Sequence, residues 1–395
     1  MLKTEIKKVI RSFSFILYAV AMIGMYYSQM GSYFENPITK PAPNQKEYGV
    51  TVVEKPEILM PAATGNLIQE YLTGYYVAYP YFFYKEVHLK GEEEEKIADI
   101  LKKITGLSKE KLDTVLEDDI EMKVSYTEFK KLMVEVDEII GGGSAYAKDE
   151  LVDNFSKMPM TYEEALDKYN QLVKQGNLEK AYTRVFCDYM GTFLPVLAMF
   201  VVAAFWNMDR KSKVQDLMYC RDMKTEKMVG VRLLALMVTM LPVFLLPYVH
   251  MLIKVSSMYN VGIMNWMKAA GELILWLVPS LVFVTGFVAI ITEIISPILA
   301  ILIQGIWWYI ALTGTKLTGD ISNCGMIIRH NSLEEITIWE NQWSVFVMNR
   351  VFYVALGVIL MIALVVVYDM KRKGRMNVEF KGFRRNHYKK SVAGL

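Results

Sequence analysis

Six stretches of this chain are long and apolar enough to cross a bilayer, and the polar, acidic residues 31–184 divide them one and five. A hydrocarbon core about 30 Å thick is crossed by roughly 20 apolar residues of helix, because a helix satisfies its own backbone hydrogen bonds where water is absent. The pattern predicts a membrane all-α protein: six transmembrane helices with a large, mainly helical extracellular domain inserted between the first and second. The spans read from the sequence are Phe13–Met30, Val185–Trp206, Val229–Leu252, Ala269–Ile291, Ile295–Leu312 and Val345–Val367. The fourth and fifth share one apolar run, too long for a single crossing at about 1.5 Å per residue. It is cut at Thr292-Glu293, with Pro297 opening the next helix. The only A-x-A pattern in the first span, Ala19 to Ala21, falls mid-run, so that span reads as a retained anchor rather than a cleaved signal peptide.

Lys and Arg near helix ends set the expected orientation. Lys3, Lys7, Lys8 and Arg11 precede the first span. The loop 207–228 carries Arg210, Lys211, Lys213, Arg221, Lys224 and Lys227, and the tail 368–395 carries Lys371, Arg372, Lys373, Arg375 and five more from Lys381 onward. These segments are expected in the cytoplasm, both termini included. Residues 31–183 hold 28 Asp and Glu against 18 Lys and Arg, a formal balance of −10, and are expected outside. The whole-chain charge of +2 conceals this separation. The inserted domain has no cysteine, so no disulfide framework can form there, and a Cys187 to Cys324 bridge is left open. This usage suits a multi-pass protein of a bacterial plasma membrane.

Several segments of the inserted domain show helical periodicity. Glu92 to Ile104 places Ile97, Ile100, Leu101 and Ile104 on one face. Ser125 with Glu128 forms a capping-box pattern ahead of Phe129, Leu132, Met133 and Val136, and Gly141-Gly142-Gly143 ends the run. Thr161 with Glu164 repeats the signature before Leu166, Tyr169 and Val173. Aromatic residues crowd Tyr71 to Tyr84, read either as domain core with an element broken at Pro80 or as a substrate- or membrane-contacting surface. Glu92 to Glu95 read as solvated charges at a helix N-terminus.

No G-x-x-x-x-G-K-[ST], H-E-x-x-H, paired-cysteine or G-x-S-x-G motif is present, and His88, His250, His330 and His387 are scattered. The chain is therefore not expected to be an enzyme, to bind a metal or cofactor, or to hydrolyse ATP alone; no nucleic-acid partner is expected. Asp188, Thr239, His250, Glu272, Glu293 and Gln304 fall in or near spans, where they either anchor and bond helices together or line a substrate or proton pathway. Pro195, Pro242, Pro247 and Pro279 are candidate kinks.

Residues 207–228 form the most informative polar loop. Val214, Leu217 and Met218 stand at i, i+3 and i+4, an apolar ridge among charges. Such a ridge rests on lipid or fits a protein groove, and periodicity does not choose between them. With its continuation Val229 to Leu236, this loop resembles the cytoplasmic stretch of type-2 permeases of ATP-binding-cassette (ABC) transporters. In that family a charged segment with a Leu-Leu or Leu-Met pair leads through a basic turn into a membrane helix. The layout of one span, a large outer insertion and five further spans resembles the same family. Where many members carry a Glu-Lys-x-x-Gly-Thr-type run, this chain has Asp209-Arg210-Lys211-Ser212-Lys213.

The resemblance implies a dimer of permease halves, identical or not, with two separate cytoplasmic ATPase subunits, usually driving export. It makes Arg210, Val214, Leu217, Met218 and Arg221 the ATPase-coupling residues, with ATP acting through the partner. Residues 1–12, with Ile6, Val9 and Ile10 among the cations, are expected along the inner leaflet in contact with membrane lipid. Residues 313–344, with Ile336, Ile338, Trp339 and Trp343, read either as outer helical elements before the last span or as an ordinary loop. A membrane-anchored extracellular receptor or sensor is the competing reading, and an intramembrane enzyme a third. Cargo is not legible in such a fold.

Overall fold

The computed structural model describes residues 1–80, 83–114, 121–174, 177–261, 266–313, 318–321, 324–334 and 336–376. Tyr81, Phe82 and the tail cations from Lys381 onward lie outside the described residues. Two units make up the chain: residues 1–38 with those from 170 onward, and residues 39–169. In chain order, α1 (Leu2–Ile10) and α2 (Phe13–Glu35) precede β1 (Val50–Val52), α3 (Pro56–Thr73), β2 (Tyr76–Ala78), β3 (Lys85–Val87) and α4 (Glu92–Thr105). Next come α5 (Tyr126–Ile140), α6 (Leu151–Phe155), β4 (Lys157–Pro159), α7 (Tyr162–Val173), α8 (Asn177–Trp206), α9 (Met208–Lys211) and α10 (Gln215–Tyr219). The last elements are α11 (Thr225–Tyr259), α12 (Trp266–Ile294), α13 (Pro297–Thr313), β5 (Thr318–Asp320), β6 (Arg329–His330) and α14 (Ile336–Arg372).

Helices α2, α8, α11, α12 from Ala269, and α14 are each long and apolar enough to cross a membrane, so the chain is a mainly helical, multi-pass membrane protein. α13 is apolar but only 17 residues long. The break between α12 and α13 falls at Ile295-Ser296, not at Thr292-Glu293. Glu293 stays helical because Trp206 Nε1 donates to its carboxylate at 2.9 Å and Lys371 pairs with it at 3.3 Å. Ser296 Oγ accepts the Leu299 N–H at 3.2 Å and Pro297 follows in the first turn, a local start signal stronger than the buried acid. Residues 336–344 are the first turns of α14 rather than a loop. The helices run on through Pro195, Pro242, Pro247 and Pro279.

α12 is the central helix of the bundle, packed against α8, α11, α13 and α14. Two glycines set its crossing with α14. A Cβ on Gly357 would lie 2.9 Å from the Phe283 backbone N and from Val282 Cγ1, and one on Gly286 would lie 2.9 Å from the Gly357 carbonyl oxygen. Small residues allow this approach where lipid offers no hydrophobic drive between helices. At the N-terminus, Ser12 separates α1 from α2 with an extended backbone, and its Oγ accepts the Phe15 N–H at 3.2 Å. α1 turns Val9 and Glu5 inward and packs on α11, so this segment rests on protein as well as exposing Ile10.

The smaller unit has its own core, where Leu59 and Leu67 of α3, Ile97 and Leu101 of α4, and Phe129, Met133 and Val136 of α5 are buried together. Ser125 Oγ caps α5 at Glu128 N (3.3 Å), and the α7 box is reciprocal: Thr161 N to Glu164 Oε2 at 2.9 Å, Glu164 N to Thr161 Oγ1 at 3.2 Å. On α7 the expected stripe is corrected: Leu172 is buried, whereas Val173 is exposed. Antiparallel β1 and β4 pair Val50 with Pro159 and Val52 with Lys157. The aromatic segment divides: Tyr71 at the end of α3 and Tyr76 in the β2–β3 hairpin are buried, whereas Tyr79, Phe83 and Tyr84 are exposed. The glycine run ends α5, and Gly143 lets the Tyr79 backbone close in, since a Cβ there would lie 2.9 Å from its carbonyl carbon.

Candidate functional site

The loop between α8 and α11 is built outward from buried anchors. Asp209 pairs with Arg232 of α11 at 2.9 Å, and the Arg232 guanidinium lies 5.4 and 5.1 Å from the Phe205 and Trp206 rings. Arg210 Nη2 donates to the Glu293 carbonyl of α12 at 3.1 Å. Lys213 takes a left-handed backbone, φ 57°, which turns the chain between the single turns α9 and α10. α10 is held by the end of α14. Tyr219 meets the Tyr368 ring edge-on at 5.4 Å, and Arg372 donates to the carbonyls of Tyr219 (2.8 Å), Arg221 (2.6 Å) and Met223. Burial pushes the Tyr219 hydroxyl up to about 12. Thr225 closes the loop through a 3.0 Å bond to Asp369.

On this frame the apolar ridge splits. Leu217 is 73% exposed, and Lys213, Asp216 and Arg221, near it in sequence, are exposed too. Met218 turns inward against the bundle core, and Val214 is half-buried. Of the two arginines named from sequence, Arg221 is exposed and Arg210 is tied to α12. The bracing residues Tyr219, Tyr368 and Arg372 carry no sequence signal for this role, because the contacts join positions about 150 residues apart.

A second concentration of polar groups lies between the N-terminal halves of α8, α12 and α14. Asp188, fully buried, accepts from Arg329 Nε at 2.9 Å and from the His330 N–H at 2.6 Å, pinning β6 to α8. Arg350, also buried, donates to the Trp276 carbonyl (3.1 Å), Ser280 Oγ (3.0 Å) and the Met326 carbonyl (3.2 Å). Asn349 reaches the Gly325 carbonyl at 2.8 Å and Tyr353 the Cys324 carbonyl at 2.8 Å. Met326, Ile327 and Ile328 are buried as a result. Irregular backbone is tolerated at such a place when side chains satisfy its polar groups. Sequence reasoning weighed Asp188, Glu272 and Glu293 but missed Arg184, Asn349 and Arg350; the signal was available, since each stands within or beside an apolar run. Cys187 and Cys220 are free, so the Cys187 to Cys324 bridge is not formed. Among the described residues no three His, Cys, Asp or Glu side chains gather as a metal site. No family model matches this chain, and neither a curated protein nor a solved structure matches it.

Proposed function

We propose that this chain is the membrane-spanning permease subunit of an ABC transporter, an exporter that works as a dimer of permease halves driven by separate cytoplasmic ATPase subunits. In this reading α13 is the sixth span, its 17 residues standing at the short end of what crosses a bilayer. Residues 31–184 are extracellular, and the loop 207–228 and both termini are cytoplasmic. One observation carries the reading: an apolar side chain, Leu217, is held out into solvent on a short helix that α14 braces, in a loop that α11 and α12 anchor through α9. An unsupported exposed leucine needs no explanation, but a braced one fits a groove on a partner.

The bracing also supplies a mechanism. Closure of an ATPase pair pressing on α10 is transmitted through Arg372 and Tyr368 to α14 and, by way of the adjoining α9, through Arg210 to α12 and through Asp209 to Arg232 on α11. Three bundle helices are thereby moved together, which is what reorienting a permease requires. The test is purification of the tagged chain from its native membrane, with identification of co-eluting proteins and an ATP hydrolysis assay. Leu217→Asp is expected to release a stoichiometric ATPase with the apparent melting temperature unchanged, whereas Met218→Asp is expected to lower melting because that side chain packs inward. A chain that purifies without any ATPase, or an ATPase indifferent to Leu217→Asp, overturns the assignment and returns the receptor or sensor reading.

A further inference from the structure

Lys180, Glu272, Trp339, Glu340 and Trp343 line a cleft of about 310 Å³ between α8, α12 and α14. Glu272 is 9% exposed; the Arg184 and Lys180 charges and the Trp339 side chain act on its carboxylate, yet its Oε2 has no hydrogen-bond partner within 3.5 Å among the described residues. Arg184, 1% exposed, lies behind the wall with its guanidinium 5.9 Å from the Trp339 ring, and its Nε and Nη2 are likewise without partners there. Buried charges lacking hydrogen bonds are costly, so a carboxylate left open in a cleft points to a ligand that completes it. The walls are rigid: Trp276 stacks on Trp339 at 5.0 Å and 9°, and Phe346 closes on it at 4.9 Å. Lys180 and Arg184 offset Glu272 and Glu340, so the local charge favours neither a bare cation nor a bare anion.

The cleft also continues into an apolar track. Trp343 heads a stripe on α14 through Val347, Val351, Val354 and Val358, at i, i+4, i+8, i+11 and i+15, which is one helix face. Val351, Val354 and Val358 are 58%, 38% and 44% exposed. In a membrane-spanning helix such a face meets acyl chains, and a tryptophan at its head suits the polar–apolar boundary.

We propose that this cleft binds the headgroup of a zwitterionic aminophospholipid: its primary ammonium at Glu272 and Glu340, its phosphate at Lys180, and an acyl chain along the α14 stripe. The shared chemistry is an ammonium linked to a phosphate ester, and soluble phosphoethanolamine is its lipid-free source. The site requires neither nucleotide nor partner, so its test is independent of the ATPase assignment.

The experiment is native mass spectrometry of the full-length purified protein, delipidated and then mixed with equal amounts of phosphatidylethanolamine, phosphatidylcholine and phosphatidylglycerol. Preferential retention of phosphatidylethanolamine is expected, reduced about tenfold in Glu272→Gln, the loss that one charge-assisted hydrogen bond represents. Trp343→Ala, at a 39% exposed position on the edge of the Trp339–Phe346 cluster, is expected to weaken retention as well in protein that remains folded. Equal retention of the three lipids, or preference for phosphatidylethanolamine untouched by both substitutions in folded protein, overturns the proposal. Saturable binding of phosphoethanolamine without lipid retention assigns the cleft to a soluble zwitterion and overturns the lipid assignment.

Discussion

Gly357→Ala isolates the close crossing of α12 and α14. Ala exceeds Gly in helix propensity by about 0.8–1.0 kcal/mol, so propensity alone predicts a gain. The new Cβ, however, would lie 2.9 Å from the Phe283 backbone N and 3.0 Å from the Phe283 Cα. Carbon contacts are comfortable at about 3.5–4.0 Å, and backbone atoms cannot rotate aside as a side chain can. The helices must separate locally, an overpacking strain of about 1–3 kcal/mol. Gly230→Ala on α11 is the control, since a Cβ there meets nothing within 4 Å and only the propensity gain remains. The difference between the two variants is therefore the strain itself. At about 2 °C per kcal/mol for a chain of this size, Gly357→Ala should melt about 2–6 °C below Gly230→Ala. Apparent melting in one detergent, followed by intrinsic fluorescence at a fixed scan rate, measures it. Equal melting of the two variants, or higher melting of Gly357→Ala, would refute the claim that the crossing is set by glycine.

Three further outcomes follow from buried polar contacts. Asp209→Ala leaves Arg232 buried against Phe205 and Trp206 without its carboxylate, and is expected to destabilise by about 3–5 kcal/mol while the chain still inserts; thermal denaturation of the purified variant reads this. In the smaller unit, Tyr146 donates to Glu70 at 2.5 Å and Asn66 donates to the Tyr146 hydroxyl at 2.7 Å, while burial raises the Glu70 carboxyl above its usual range. Tyr146→Phe should cost about 1–3 kcal/mol in the full chain, and unchanged melting would sink that estimate. Burial, assisted by the nearby Arg184 charge, pushes His330 down to about 4 from its ordinary 6.5. The unfolded chain then binds the extra proton between those values, so His330 contributes stability that is full above pH 6.5 and lost as pH falls toward 4, on the order of 3 kcal/mol. His330→Gln should flatten that part of the melting-versus-pH curve relative to the parent.

The sequence by itself determined the helices, because their causes are local. The Ser125 cap, the reciprocal Thr161–Glu164 box and Pro297 each act within one or two turns, the apolar runs act along one continuous stretch of chain, and each marks an element where expected. Ile97, Ile100, Leu101 and Ile104 are buried as their period requires. The ends were less legible: α14 begins at Ile336 and α11 runs to Tyr259, because packing on neighbours extends helices past the apolar segment.

Only the tertiary structure decided which residues meet. Val214, Leu217 and Met218 share one apolar period, yet Met218 turns in and Leu217 out, since the end of α14, about 150 residues later in the chain, occupies one side of α10. The burial of Met326 to Ile328 depends in the same way on carbonyl contacts from Asn349, Arg350 and Tyr353. Within the cleft, Lys180, Glu272 and Trp343 lie on three helices with no shared spacing. Hydrogen bonds and periodicity within a helix are fixed by neighbours in sequence, whereas side-chain pairing between helices is fixed by the path of the whole chain, to which no local pattern refers.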